Sequence, residues 1–305
     1  MSLIIKKGST GTDVILCQQF LSQKGYPTLA DGVFGGGTEE KVRQFQAANN
    51  LSADGIVGSK TWDILSKIIN SCGVEEKYII HNGKPFPIGW DKVVLWNEPR
   101  GLAIKPGRYY DNTGDAARVP TLFVNHWDVS LSAESCVNTL NKRRVSVHFC
   151  LDNDGTIYQV LDTQHGGWHC SNSKGNKKSI GIEISNGYYL KYQDHYVKQG
   201  FGERPIEYDA WVHGRWLNPF LGFYPIQLQA LKALWIAVSD AHNIPLVYPR
   251  NPDGSFCKTI HAKCKAGTFK GFCNHYNFTT DKIDCAGLDI PGLLEEAKVF
   301  LPNDD

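Results

Sequence analysis

The sequence predicts two domains: a small all-α unit of three helices at the amino end, then an α/β domain with a mixed central sheet flanked by helices. Three observations carry this. The chain has 305 residues, about twice the usual length of one domain. A turn motif is repeated within residues 1–70. From about residue 95 onward, apolar runs of strand length alternate with stretches of helical periodicity. The expected boundaries are 1–70 for the helical unit, 71–95 for a connector and 96–305 for the α/β domain.

In the first unit, DGVFGGGT from Asp31 to Thr38 recurs as DGIVGSKT from Asp54 to Thr61. Asp-Gly favours a tight turn, with glycine free to adopt a left-handed conformation. Thr38 and Thr61 stand where helix N-caps are expected. An earlier helix is expected from Asp13 to Lys24, with Val14, Cys17 and Leu21 on one face and Gly25 as its stop. The connector holds Glu75, Glu76, Pro85 and Pro87. Beyond it, Thr121–His126 reads as a buried strand and Ser132–Lys142 as a helix. Val145–Leu151 and Thr156–Leu161 flank a hairpin turn at Asp152–Gly155. Ser179–Ile184 is a strand, and Pro225–His242 a long helix with Leu228, Leu231, Trp235 and Val238 on one stripe and Asn243 at its end. The last helix is expected over Asp289–Phe300. Residues 187–219 and 251–271 read as insertions.

The composition narrows the function classes. With 32 Lys+Arg against 31 Asp+Glu the net charge is +1, which gives no overall attraction to nucleic acid or to a membrane surface. Lys142-Arg143-Arg144 reads as a solvated helix end. No apolar run is long enough to span a bilayer, and residues 1–8 lack the apolar stretch of a secretory signal. Nine cysteines form no paired framework, as expected of a protein made in a reducing cytoplasm. The expected state is a monomer, with neither nucleic-acid binding nor membrane insertion.

Several residues could carry chemistry. His126 ends a buried strand, where α/β proteins place functional groups. His275 is followed by Lys282 and Asp284. Two histidines and a carboxylate can make a three-ligand zinc site with one open position. In the strand Ser179–Ile184, Ile180, Ile182 and Ile184 share one face and Glu183 shares the other with Gly181. A carboxylate on a middle strand must face a cleft or a partner, because burying it alone is costly. His148 and Cys150 share a strand face, but no helix N-terminus follows to activate the thiol. Cys257, His261, Cys264 and Cys273 lack the CxxC spacing of a structural zinc site and read as loop residues.

Residues 5–68 resemble the peptidoglycan-binding domain family through GSTGTDV at Gly8–Val14, QQFL at Gln18–Leu21, VRQFQ at Val42–Gln46 and the two Asp-Gly turns. The stretch from His126 to Asp284 resembles the zinc-dependent N-acetylmuramoyl-L-alanine amidases, a family that includes phage and bacterial amidases and animal peptidoglycan-recognition proteins. Four blocks carry this in order: LFVNHWD around His126, VSVHFCLDNDGTIYQ around His148, the segment from Trp168-His169 through Asn176 to SIGIE at Glu183, and His275 with Lys282-Ile283-Asp284.

The resemblance implies that His126, His275 and Asp284 bind Zn²⁺. The ion would bring the pKa of its water to about 7. Glu183 would be general base and then acid, and Lys282 would stabilise the oxyanion. It also implies that His148, Trp168, His169 and Asn176 line the substrate cleft. The sequence departs from the family pattern in Asn125 before His126, in Trp127-Asp128 after it, and in Val147, where some members carry Tyr. Cys285 and Cys273 leave a thiolate alternative to Asp284 open. The implied partner is peptidoglycan, cut between N-acetylmuramic acid and L-alanine. A binding module ahead of such an amidase resembles a phage endolysin, which waits in the host cytoplasm and reaches the wall once the membrane is permeabilised. The alternatives are a non-catalytic peptidoglycan-recognition protein and a bacterial wall-remodelling amidase.

Overall fold

A computed structural model describes residues 4–69, 75–113 and 118–299. The first unit is three helices: α1 (Thr12–Gln23), α2 (Gly36–Ala48) and α3 (Ser59–Leu65). Leu16, Phe20, Phe34, Val42, Phe45 and Trp62 fill its centre. The N-cap expectation is corrected. Gly35 and Gly58 are the N-caps, and Thr38 and Thr61 lie inside the helices. Their hydroxyls accept instead from two buried glutamines, which explains the repeat in physical terms. Gln18 Nε2 donates to Asp31 Oδ1 (2.8 Å), Val33 O (3.1 Å) and Thr38 Oγ1 (3.1 Å), while its Oε1 accepts from Gly32 N (3.0 Å). Gln46 makes the same set with Asp54, Ile56, Thr61 and Gly55 at 2.8, 2.9, 3.2 and 2.9 Å. Each Asp-Gly turn is thus tied to the helix before it and the helix after it.

Of the expected connector, residues 71–74 lie outside the described residues. The rest is structured. β1 (Tyr78–His81) and β2 (Lys84–Pro87) form a hairpin, and β3 (Val93–Leu95) joins the main sheet. This stretch also contacts the helical unit. Phe20 packs on Tyr78 (5.6 Å between ring centroids), and Trp96 Nε1 donates to Asp13 Oδ1 (2.9 Å).

The α/β domain is built on β3, β4 (Leu122–Trp127), β5 (Phe149–Leu151), β6 (Ile157–Gln159), β7 (Ser179–Ile184) and a final strand, β12 (Gly271–Asn274). Their order is β12-β4-β7-β5-β6-β3, parallel except for the β5/β6 hairpin. Helix α4 (Ala133–Arg143), capped by Ser132 (Ser135 N to Oγ, 3.2 Å), covers one face with Cys136, Val137 and Leu140 against Val147 and Cys150. A short helix α5 (Ser173–Lys178) leads into β7. The first insertion holds α6 (Gln193–Lys198), β8 (Ile206–Glu207) and a hairpin of β9 (Trp211–Val212) and β10 (Arg215–Trp216); just past its expected end, β11 (Phe220–Leu221) returns to pair with β8. Helix α7 (Pro225–His242) covers the other face of the sheet, where Trp235 packs on Phe123 and Phe272. Asn243 ends it in the left-handed conformation (φ 54°). Helix α8 (Ala262–Lys265) lies in the second insertion, and α9 (Ile290–Lys298) packs against α7. Among the described residues, no helix is long and apolar enough to cross a membrane.

Candidate active site

The strand order places the site. β12, β4 and β7 are adjacent and parallel, so the residues at their carboxyl ends lie side by side, where open α/β sheets place functional groups. His126 is paired in register with Glu183, and Asn125 with Asn274, so His275 follows at the same end. On β7, Ile180, Ile182 and Ile184 enter the core, leaving Gly181 and Glu183 on the opposite face.

His126, His275 and Asp284 converge. His126 Nδ1 lies 3.0 Å from His275 Nδ1 and 3.2 Å from Asp284 Oδ2, and His275 Nδ1 lies 3.0 Å from the same oxygen. Among the described residues, this is the one group of three or more His, Cys, Asp or Glu side chains with ligand atoms within 4.8 Å of one another. Its dimensions suit a small cation, since ligand atoms about 2.0 Å from a tetrahedral zinc stand about 3.3 Å apart. The hydrogen-bond network favours the same reading. His126 Nε2 faces His169 Nδ1 (3.0 Å), and His275 Nε2 faces Ser171 Oγ (3.1 Å). Protons assigned to the two outer nitrogens leave both Nδ1 lone pairs aimed at one point, which a cation would relieve. Burial and the neighbouring His275 lower the His126 pKa to about 4, and burial also holds His169 low. Although burial alone would raise it, the Asp284 carboxyl is held below its ordinary range by His275 and His126. The donor set fits a divalent metal. Cys285 and Cys273 are buried outside the triad, and Cys273 Sγ points to Phe123 O (3.5 Å).

A cleft of about 480 Å³ opens over the triad, lined also by Glu183, Lys282, Asp128, Arg143, Trp168, His169 and Asn176. Glu183 is half-buried, and its Oε2 is shut off from solvent with no hydrogen-bond partner among the described residues. Burial, then the carboxylates of Asp128 and Asp284, push its pKa well up, opposed by Lys282 and Arg143. Lys282 is exposed on a loop at the rim.

The four residues expected to contact substrate are placed differently from one another. Trp168 lines the cleft, with a buried Nε1 that has no partner among the described residues. His169 also lines it, but its ring bridges His126 and Ser179 Oγ (3.2 Å) and so orients a member of the triad. That ring lies over Gly181, where a Cβ would come within 2.6 Å of it, so the glycine of SIGIE makes room for the brace. Asn176 reaches the cleft wall while its Oδ1 accepts from His169 N (2.9 Å) and Cys170 N (2.7 Å). His148 is corrected. It is fully buried outside the cleft lining, with Nε2 donating to His165 O (3.0 Å) and Nδ1 accepting from Gly181 N (3.0 Å), so neither nitrogen is free for a ligand.

Sequence reasoning passed over Asp128, Arg143 and Ser171. Asp128 is half-buried, accepts from Ser130 N, Asn186 N and Ser185 Oγ, and has its pKa raised to about 7 by desolvation of its carboxyl. The run of cations at 142–144 concealed Arg143, which the last turn of α4 carries to the cleft. Cys150 is buried, and burial together with Glu183 and Asp128 keeps its thiol pKa high despite its hydrogen bond with Cys136, leaving it inert. Cys257, His261, Cys264 and Cys273 are not gathered into one site.

Residues 116–263 match the N-acetylmuramoyl-L-alanine amidase family, and residues 10–65 match a putative peptidoglycan-binding domain. His275 and Asp284 lie beyond the first match. The spore cortex-lytic enzyme of Bacillus cereus is 43% identical over 65 residues, covering 21% of this chain and 25% of that protein. Its counterpart in Bacillus subtilis is 45% identical over 60 residues, covering 19% and 20%. The chain thus spans a quarter or less of these curated relatives. Among solved structures, the endolysin N-acetylmuramoyl-L-alanine amidase LysCS of Clostridium intestinale is 16% identical, covers 68% of this chain and 93% of that one, and has a TM-score of 0.35.

Proposed function

We propose that this chain, which joins a peptidoglycan-binding domain to a domain of the N-acetylmuramoyl-L-alanine amidase family, is a zinc-dependent hydrolase cutting the amide between N-acetylmuramic acid and L-alanine. The observation that carries the reading is the convergence of His126, His275 and Asp284 beside Glu183 inside the amidase domain. The three residues would hold Zn²⁺, the borderline ion that imidazole and carboxylate donors suit. Once bound, the ion would act as a Lewis acid toward water and the scissile carbonyl.

The chain's own groups supply the proton transfers. Glu183, ionised, accepts a proton from the attacking water. Water oxygen adds to the carbonyl carbon, and Lys282 offsets the charge that develops on the carbonyl oxygen. Glu183 then gives the proton to the alanine nitrogen as the C–N bond breaks, leaving a free amine and a muramic carboxylate. His169 and Ser171 keep the two imidazoles turned inward. Fusion to a wall-binding domain favours assembled wall over soluble muropeptides as substrate. It supports the endolysin reading, in which a monomeric enzyme stored in the host cytoplasm acts on the wall after the membrane is breached.

The test is release of alanine amino groups from purified walls, read by amino-terminal labelling. Activity should vanish on chelation and return with zinc, with about one metal per chain. A fully active metal-free protein, or new reducing ends in place of new amines, would refute the proposal.

A further inference from the structure

The first insertion reaches the loop that bears Lys282 through its β9/β10 hairpin. The β9/β10 hairpin turns at His213 and Gly214, both with positive φ (53° and 79°). Such a two-residue turn favours Asn-Gly, and a histidine in the left-handed region is uncommon. Here the ring has a task. Its Nε2 lies 3.0 Å from Lys282 O, and since a carbonyl can only accept, the imidazole donates. The backbone N of His213 donates to Lys258 O (3.1 Å) in the second insertion, and the ring stands edge-on to Tyr276 (6.2 Å between centroids, 84°). Tyr276 N donates to Asp284 O (3.1 Å), closing the loop that bears Lys282 between two fixed points.

The root of the insertion is equally firm. Arg204, buried between Tyr196 and Tyr224 (each 4.4 Å from the guanidinium), donates to Ser185 O (2.7 Å), Gly222 O (2.8 Å), Gln227 Oε1 (3.2 Å) and Asn153 Oδ1. Ser185 is two residues beyond Glu183. The insertion is therefore anchored behind the Glu183 strand and reaches across to the Lys282 loop.

We propose that His213 is a positioning residue, holding the Lys282 backbone so that the ammonium stays over the site. This rests on the reading of Lys282 as the group that offsets charge on the carbonyl oxygen. A lysine on an untethered, exposed loop would pay for its placement in side-chain and backbone entropy at every turnover.

Full-length protein carrying His213→Ala should hydrolyse walls with kcat lowered roughly 10- to 100-fold, the cost of a small misplacement. The half-saturating wall concentration and the unfolding midpoint should not change. His213→Gln, which retains a donor of similar reach, should recover most of the rate. In a Lys282→Met background, His213→Ala should cost nothing further. A wild-type rate for His213→Ala overturns the proposal, as does an equal loss in the Lys282→Met background or a loss that tracks a lower unfolding midpoint and is not rescued by Gln. Amine-reactive labelling of Lys282, read by peptide mass spectrometry, needs no turnover. Faster labelling in His213→Ala supports the brace and unchanged labelling overturns it, even if wild-type protein fails to cut walls and the functional reading falls instead.

Discussion

Glu183 stands between opposing influences, and their balance sets how it should behave. Burial and the carboxylates of Asp128 and Asp284 favour its protonated form, while Lys282 and Arg143 favour the carboxylate. A base must be ionised to accept a proton, so activity should fall as pH drops through the raised pKa of Glu183. Arg143→Gln removes a charge that favours ionisation. It should move the acid limb of the kcat/KM profile to higher pH, by less at high salt because Arg143 is exposed. A pH–rate profile that stays in place would show that Arg143 has no electrostatic hold on the base. Glu183→Gln keeps the shape but cannot take the proton. It should lower kcat by about 100-fold or more while wall sedimentation of the protein is unchanged. The residue types at this site were legible because four blocks in order resemble a known family; the settings of His126 on a strand end and Glu183 on a middle strand were only suggestive by themselves. The roles of His169 and His148 were not legible, since both are histidines near strands and only the folded chain shows which nitrogens are already occupied.

The elements divide in the same way. Ser179–Ile184 and Pro225–His242 were read with the observed bounds because a period of two or of 3.6 runs through each without interruption. Val145–Leu151 shortened to Phe149–Leu151 because residues 145–148 lie where the chain turns from α4 into the sheet. There Ser146 N bonds to Trp168 O rather than to a neighbouring strand. The repeated DG turns were visible, but their partner was not. Nothing local links Gln18 to Asp31 or Gln46 to Asp54, and Thr38 and Thr61 looked like caps because Gly36-Gly37 and Ser59-Lys60 before them gave no sign of being helical. The glutamines explain why the motif needs Asp, Gly and Thr together. Gln46→Leu fills similar space but leaves the buried Gly55 N–H without its acceptor. It should destabilise the helical unit by roughly 1–3 kcal/mol, seen as a lower urea midpoint, and Gln18→Leu should do the same. Equal midpoints for mutant and parent would show that water replaces the amide at no cost.

At the scale of the whole molecule, the connector is where the two domains meet, and a histidine pair there gives it a pH dependence. His81 on β1 and His242 at the end of α7 pack edge to face (4.4 Å), and both bond to Thr163 Oγ1 at 3.1 Å. The hydroxyl in turn donates to Ile80 O (3.3 Å), so the hairpin, the loop after β6 and α7 share one polar junction. Burial, then the charges of Arg118 and Lys84, lowers the pKa of His81 to about 4; burial, then His81 and Arg118, lowers that of His242 to about 3. In the unfolded chain both would titrate near 6.5. As pH falls below that value the unfolded chain takes up protons that the folded chain refuses, so the stability present near neutrality is lost between about pH 6.5 and the lower folded values. His126 and His169, also held low by burial, add a slope of the same sign, so the contribution of the junction is isolated by difference. His242→Gln keeps a polar group near Thr163 but removes one of the titrations. Its unfolding midpoint should sit below that of the parent at pH 7.5, and the gap should narrow as pH falls toward 5. Denaturant melts of both proteins at several pH values, with saturating metal, measure this directly, and a gap independent of pH would place the acid sensitivity elsewhere in the fold.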